Sequence, residues 1–117
     1  MKNEETAKQV QEAVDWMARL DAVPPALRPP FVRAQAERLR ALLDGDPSGF
    51  ARAAAAFDEL RIPFWAAVAR LEEAELVDSG EERERLLASA RAEFERLGAQ
   101  PWLDRADAAR PGVAVPA

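Results

Sequence analysis

Two carboxylate runs, Glu72-Glu73-x-Glu75 and Glu81-Glu82-x-Glu84, are the first place to look for chemistry in this 117-residue chain. Paired carboxylates can hold a divalent cation or divide the acid and base roles of a reaction between them. Both runs fall at the ends of expected helices, and their spacing reads as solvated helix surface. Histidine, cysteine and tyrosine are absent. That removes Ser-His and Cys-His nucleophile pairs and every thiolate metal site. Ser48, Ser79 and Ser89 have no neighbouring lysine, and Ser48 and Ser79 stand at helix boundaries where capping is the expected role. The glycines are scattered at turns and in the tail, so no phosphate-cradling loop is present. The sequence is read as having no catalytic residue, no cofactor and no metal, and as not being an enzyme.

Surface chemistry is then the remaining candidate. Arg33, Glu37 and Arg40 lie on one expected helix, with Arg33 and Glu37 at i, i+4 and Arg40 beside Glu37. Such a set forms an ordinary surface ion network, contributing a few tenths of a kcal/mol per pair. It is also the kind of charged lining that a concave helical-repeat face presents to a peptide. Trp16 belongs to the first expected helix, where an uncovered ring would drive self-association. Trp65 and Trp102 each follow a proline-containing turn, where a large ring can pack across onto the preceding helix.

These residues need helices to position them, and the sequence supplies a repeat. Ala53-Ala54-Ala55-Ala56-Phe57-Asp58-Glu59-Leu60 returns 37 residues later as Ala90-Arg91-Ala92-Glu93-Phe94-Glu95-Arg96-Leu97, and Trp65 returns as Trp102 at the same offset. An Ala-x-x-x-Phe-x-x-Leu stripe places all three groups on one helical face, with the small residue where helices approach closely. A fainter echo, 33 residues apart, links Pro30-Phe31 to Pro63-Phe64. Periodicity and turn signals predict helices over about 3–20, 29–43, 47–60, 63–78, 81–97 and 101–109. Helix 1 is expected to bury Ala7, Val10, Val14 and Met17, with Ala13, Trp16 and Leu20 widening that face. Asp46 is expected to cap helix 3 and Gly98 to end helix 5. Residues 111–117 carry too little apolar surface to order themselves and read as a flexible tail. Short connections make neighbours antiparallel. The expected fold is therefore all-α: a tetratricopeptide-like helix-hairpin array of about six antiparallel helices in one domain over 1–110.

Composition bounds the function further. A net charge of −5 opposes nucleic-acid binding, which needs a basic surface. No apolar run approaches the roughly 18 residues of a membrane span, and the first residues lack a signal peptide's apolar core. A cytoplasmic protein is the simplest expectation. Lys2, Asn3, Thr6 and Lys8 hold the chain's only lysines, asparagine and threonine, so the first ten or so residues differ in character from the rest.

The string AAAAFDELRIPFWAAVARLEEAELV, followed by LLASARAEFERLGAQPWLDRA, resembles the C-terminal helical-repeat region of large bacterial signalling proteins. These join a class III adenylate/guanylate cyclase domain, or a LuxR-type DNA-binding domain, to an ATPase module and a tetratricopeptide tail. Phe94-Glu95-Arg96-Leu97-Gly98-Ala99-Gln100-Pro101-Trp102-Leu103 is similar to the segment that ends such tails. The resemblance covers roughly residues 20–110 and implies a non-catalytic interaction or sensor module of a larger protein, without any cyclase, ATPase or DNA-binding residue. The expected partner is a protein or peptide, with a small regulatory ligand, or a homodimer through helix 1, as the alternatives.

Overall fold

The computed structural model describes the chain from Lys2 to Ala109, with side chains from Ala7 onward apart from Pro25. Six helices follow one another: α1 Lys2–Asp21, α2 Pro30–Asp44, α3 Pro47–Glu59, α4 Pro63–Leu76, α5 Gly80–Leu97 and α6 Gln100–Ala109. A single 3₁₀ turn, Pro25–Leu27, lies between α1 and α2. No strand occurs among the described residues, and no helix there is long and apolar enough to cross a membrane. The expected tail at 111–117 lies outside the described residues.

Local chemistry sets most boundaries. Pro30, Pro47 and Pro63 each occupy the first turn, where the missing N–H costs nothing. The Asp46 carboxylate accepts from the Ser48 amide at 3.0 Å, and the Ser79 hydroxyl accepts from the Glu82 amide at 3.3 Å. Ser48 is thus capped by its neighbour instead of capping. Gly45 and Gly98 end α2 and α5 in the left-handed conformation, at φ 63° and 67°. Helix α4 stops at Leu76, two residues before its expected end. Val77 is extended there, and the Arg83 side chain donates to the carbonyls of Ala74 and Val77 at 3.1 and 2.6 Å.

Consecutive helices pack as hairpins, and α4 lies at the centre, touching α3, α5 and α6. Its position explains its composition: Ala66 through Ala69 and Leu71 through Ala74 are all buried, a helix covered nearly all round. Phe50, Phe57, Val68, Leu71 and Phe94 are the largest fully buried side chains. Two aromatic clusters mark the hairpins. Phe57 stacks on Trp65 at 6.2 Å and Phe94 on Trp102 at 5.8 Å, with interplanar angles of 29° and 24°. The two repeated segments therefore occupy equivalent environments, each tryptophan packed on the phenylalanine of the preceding helix.

Helix α1 departs from expectation. Its buried face is Ala13, Met17 and Leu20, while Val10 and Val14 are 38% and 44% exposed. Among the described residues it packs mainly on α2, so it covers only one narrow stripe. Leu76 and Leu97, expected inward, are also exposed, each in the last turn of its helix. On α2 the buried positions are Ala34, Gln35 and Ala41, and Phe31 stays largely exposed.

Small residues set the α2–α3 distance. A Cβ built on Gly49 would stand 2.7 Å from the Ala41 Cβ, inside van der Waals contact. Gly80, the first residue of α5, has nothing within 4 Å. Gly49→Ala should therefore lose about 1–3 kcal/mol by overpacking, despite a helix-propensity gain of about 1 kcal/mol. Gly80→Ala should be neutral or stabilising. Urea unfolding of the two variants side by side checks the contrast.

Candidate functional site

A groove crosses one face of the array, with a cavity of about 490 Å³. Helix α2 contributes Phe31, Gln35, Arg38, Leu39 and Leu42, positions that three- and four-residue spacing brings to one side of a helix. Trp65 and Glu72, two turns apart on α4, line its floor, and Trp102 and Arg105 of α6 extend it. Gln9, Glu12, Ala13 and Trp16 of α1 form the remaining wall.

The central contact is an ion pair between α2 and α4. Arg38 Nη1 donates to both carboxylate oxygens of Glu72 at 2.8 Å, and the two side chains are only 14% and 8% exposed. Arg38 Nε donates to Gln35 Oε1 at 3.0 Å, and its guanidinium lies 5.0 Å from the Trp65 ring centroid. Trp65 thus stacks on Phe57 and also carries a cation over its ring. A related set joins α6 to α4, with the arginine now on the tryptophan's own helix. Arg105 donates to both oxygens of Glu75 at 2.7 and 2.8 Å, with its guanidinium 5.5 Å from the Trp102 centroid.

Burial pushes the Glu72 carboxyl above the ordinary carboxylate range, and the Arg38 guanidinium pulls it only part of the way back. Glu73, one residue on, is raised as well, first by burial and then by Glu82, with Arg70 and Arg85 opposing. The expected solvated face of the Glu72-Glu73-x-Glu75 run is therefore confined to Glu75. Glu72 and Glu73 are each only 7% exposed, because the helix that carries them is packed on several sides. In the second run, Glu81 and Glu84 are exposed as expected.

Of the residues singled out from sequence, the groove contains Trp16, Trp65, Glu72 and Trp102 and not Arg33, Glu37 or Arg40. Trp16 is partly exposed, but its side of α1 faces the groove and not an outer edge. Arg33 and Arg40 are exposed on the far side of α2, about half a turn from the groove positions. The expected Arg33–Glu37–Arg40 network is replaced by a contact to the next helix: Glu37 accepts from Arg52 Nε of α3 at 3.2 Å. Arg38 and Arg105 are not marked out by the sequence, and Glu72 is read there as solvated helix surface. Arg38 and Glu72 are 34 residues apart and acquire meaning only when α2 and α4 face each other. One signal existed: Glu72 stands two turns after Trp65 in a segment, Ala66 to Ala74, that is apolar apart from Arg70, Glu72 and Glu73.

The buried pair makes a sharp energetic prediction. Arg38→Met alone, or Glu72→Leu alone, should cost about 3–5 kcal/mol, since each leaves a buried charge without its partner. The joint exchange should fall within about 2 kcal/mol of the original protein, because desolvation of both ions is relieved together. Double-mutant unfolding measurements decide between this and simple additivity. A second prediction concerns pH. With Glu72 and Glu73 raised on folding, the native state binds more protons than the unfolded chain between the two pKa values, so their contribution to stability falls as pH rises through that window. Glu73→Gln removes one such contribution. Its unfolding free energy should fall less, or rise more, than that of the parent between pH about 4 and 7; parallel curves would contradict the assignment.

The chain matches no family model, no curated protein and no solved structure.

Proposed function

We propose that the chain is a non-catalytic protein–protein interaction module with a tetratricopeptide-like repeat, acting in the cytoplasm within a bacterial signal-transduction protein. The observation that carries this reading is the groove itself. It is a concave surface lined by Trp16, Phe31, Trp65 and Trp102, with the Arg38–Glu72 ion pair in it and Arg105, held by Glu75, at one end. Aromatic side chains around partly desolvated arginines are the composition of interaction hot spots. Antiparallel hairpins on well-packed alanines and phenylalanines supply the rigid support such a surface needs. The similarity of residues 20–110 to the repeat tails of cyclase- and LuxR-type signalling proteins supports the cellular setting. A second reading, a regulatory domain for a small ligand, is favoured by the cavity's volume of about 490 Å³, inside the usual range for ligand sites.

Selection of a random peptide library on the immobilised protein tests the main reading. Enriched peptides should perturb the NMR signals of the Trp65 and Trp102 indoles, and Leu39→Glu on the groove wall should weaken them tenfold or more. Failure to enrich any peptide, or a footprint confined to the Arg33–Arg40 side of α2, would overturn it.

A further inference from the structure

The apolar surface of α1 is wider than the part that α2 covers. Ala13, Met17 and Leu20 are buried, whereas Ala7, Val10, Val14 and Ala18 are exposed. The exposed four recur at spacings of three, four and four, which aligns them in one stripe along the helix. That stripe is separate from the groove, since Trp16, two residues on from Val14, points about 160° away from it. One flank of the stripe is charged. Lys8 and Asp15 stand seven residues apart, two turns along the same side, and Gln11 between them donates to Asp15 at 3.0 Å. Neither Lys8 nor Asp15 makes an ion pair among the described residues. The other flank is the one that packs on α2.

We propose that this stripe is a self-association surface, covered by α1 of a second copy packed antiparallel about a two-fold axis. Charge complementarity selects that occupant. Setting Val10 of each copy opposite Val14 of the other puts the axis level with Glu12, and each Lys8 then stands beside Asp15 of the other copy. Two such pairs form per dimer, from charges that have no counter-ion within one chain. An antiparallel two-fold also brings like flanks together, so both α2 helices lie on one side of the contact and both charged flanks on the other. A parallel pair would set the charged flank of one copy against the α2 side of its mate. The contact uses a single helix about 30 Å long, which places it among small, reversible interfaces. Trp16 and the groove lie on the opposite side of α1, so self-association is independent of what the groove binds, and the dimer is bivalent.

Sedimentation equilibrium of the full chain from about 10 μM to about 1 mM tests the contact. The mass should rise from one chain toward two; a single-chain mass throughout would overturn the proposal and leave the stripe to a different protein. Val14→Glu, at an exposed position, should keep the chain monomeric with unchanged helix content by circular dichroism. Asp15→Lys should weaken association about threefold, and adding Lys8→Asp to the same chain should restore it. Equal association of these charge variants and the parent would refute the register. Association that survives Val14→Glu, or that Leu39→Glu on the groove wall abolishes instead, would place the contact elsewhere and sink the proposal. Orientation is read from disulfides, because the chain has no cysteine of its own. Mixed Ala7→Cys and Ala18→Cys chains should cross-link to each other, since the two positions face one another across the axis to within one residue. Neither variant should link to its own kind, the equivalent positions being about 15–18 Å apart and beyond disulfide reach. Self-linking of each variant alone would show a parallel pair and contradict the assignment.

Discussion

Stacking of a tryptophan near the start of one helix on a phenylalanine from the helix before it is the constraint on which the rest of this structure depends. The Phe57–Trp65 and Phe94–Trp102 contacts fix how α4 meets α3 and how α6 meets α5. Each buries a large apolar area at a junction where the chain reverses within a few residues. With those angles set, α4 is enclosed between its neighbours, and its alanines let the surrounding helices come close. Gly49 against Ala41 does the same for α2 and α3.

Enclosing α4 has an electrostatic consequence. A helix packed nearly all round cannot leave Glu72 in water, so the carboxylate must find its counter-ion inside the array. Arg38 fills that role from α2, and Trp65 supplies a ring beneath the guanidinium. A pair with so little exposure adds little net stability over an apolar replacement. Its benefit is register: the end-on geometry holds α2 and α4 in one relative position, and with them the groove that Phe31 and Trp65 line. Arg105 and Glu75 act similarly between α6 and α4, while Arg91 ties α5 to α6 through Asp107 at 2.8 and 3.2 Å. Exposed bridges of the last kind contribute at most about 1 kcal/mol each.

Helix number, order and most ends were legible because they follow from local rules. Proline in the first turn, the Asp46 and Ser79 caps and the left-handed Gly98 act within a few residues and follow from the sequence, whereas Ser48, expected to cap, only donates its amide to Asp46. The early stop of α4 was not legible, since it involves Arg83 reaching back to carbonyls six and nine residues earlier. The buried stripe of α1 was misread for a related reason. Its apolar residues wrap too far round the helix, and packing mainly on α2 selects Ala13, Met17 and Leu20.

By itself the sequence determined an all-α array, the equivalence of Phe57 with Phe94 and of Trp65 with Trp102, and the lack of histidine and cysteine chemistry. Those properties depend on periodicity, spacing and residue type, which survive in one dimension. Tertiary structure alone decided which charges matter. Arg33 and Arg38 are both arginines on the same helix, yet a rotation of about 140° leaves one in solvent and buries the other against Glu72. That choice depends on which face of α2 another helix covers, and coverage is a property of packed neighbours that no local pattern records.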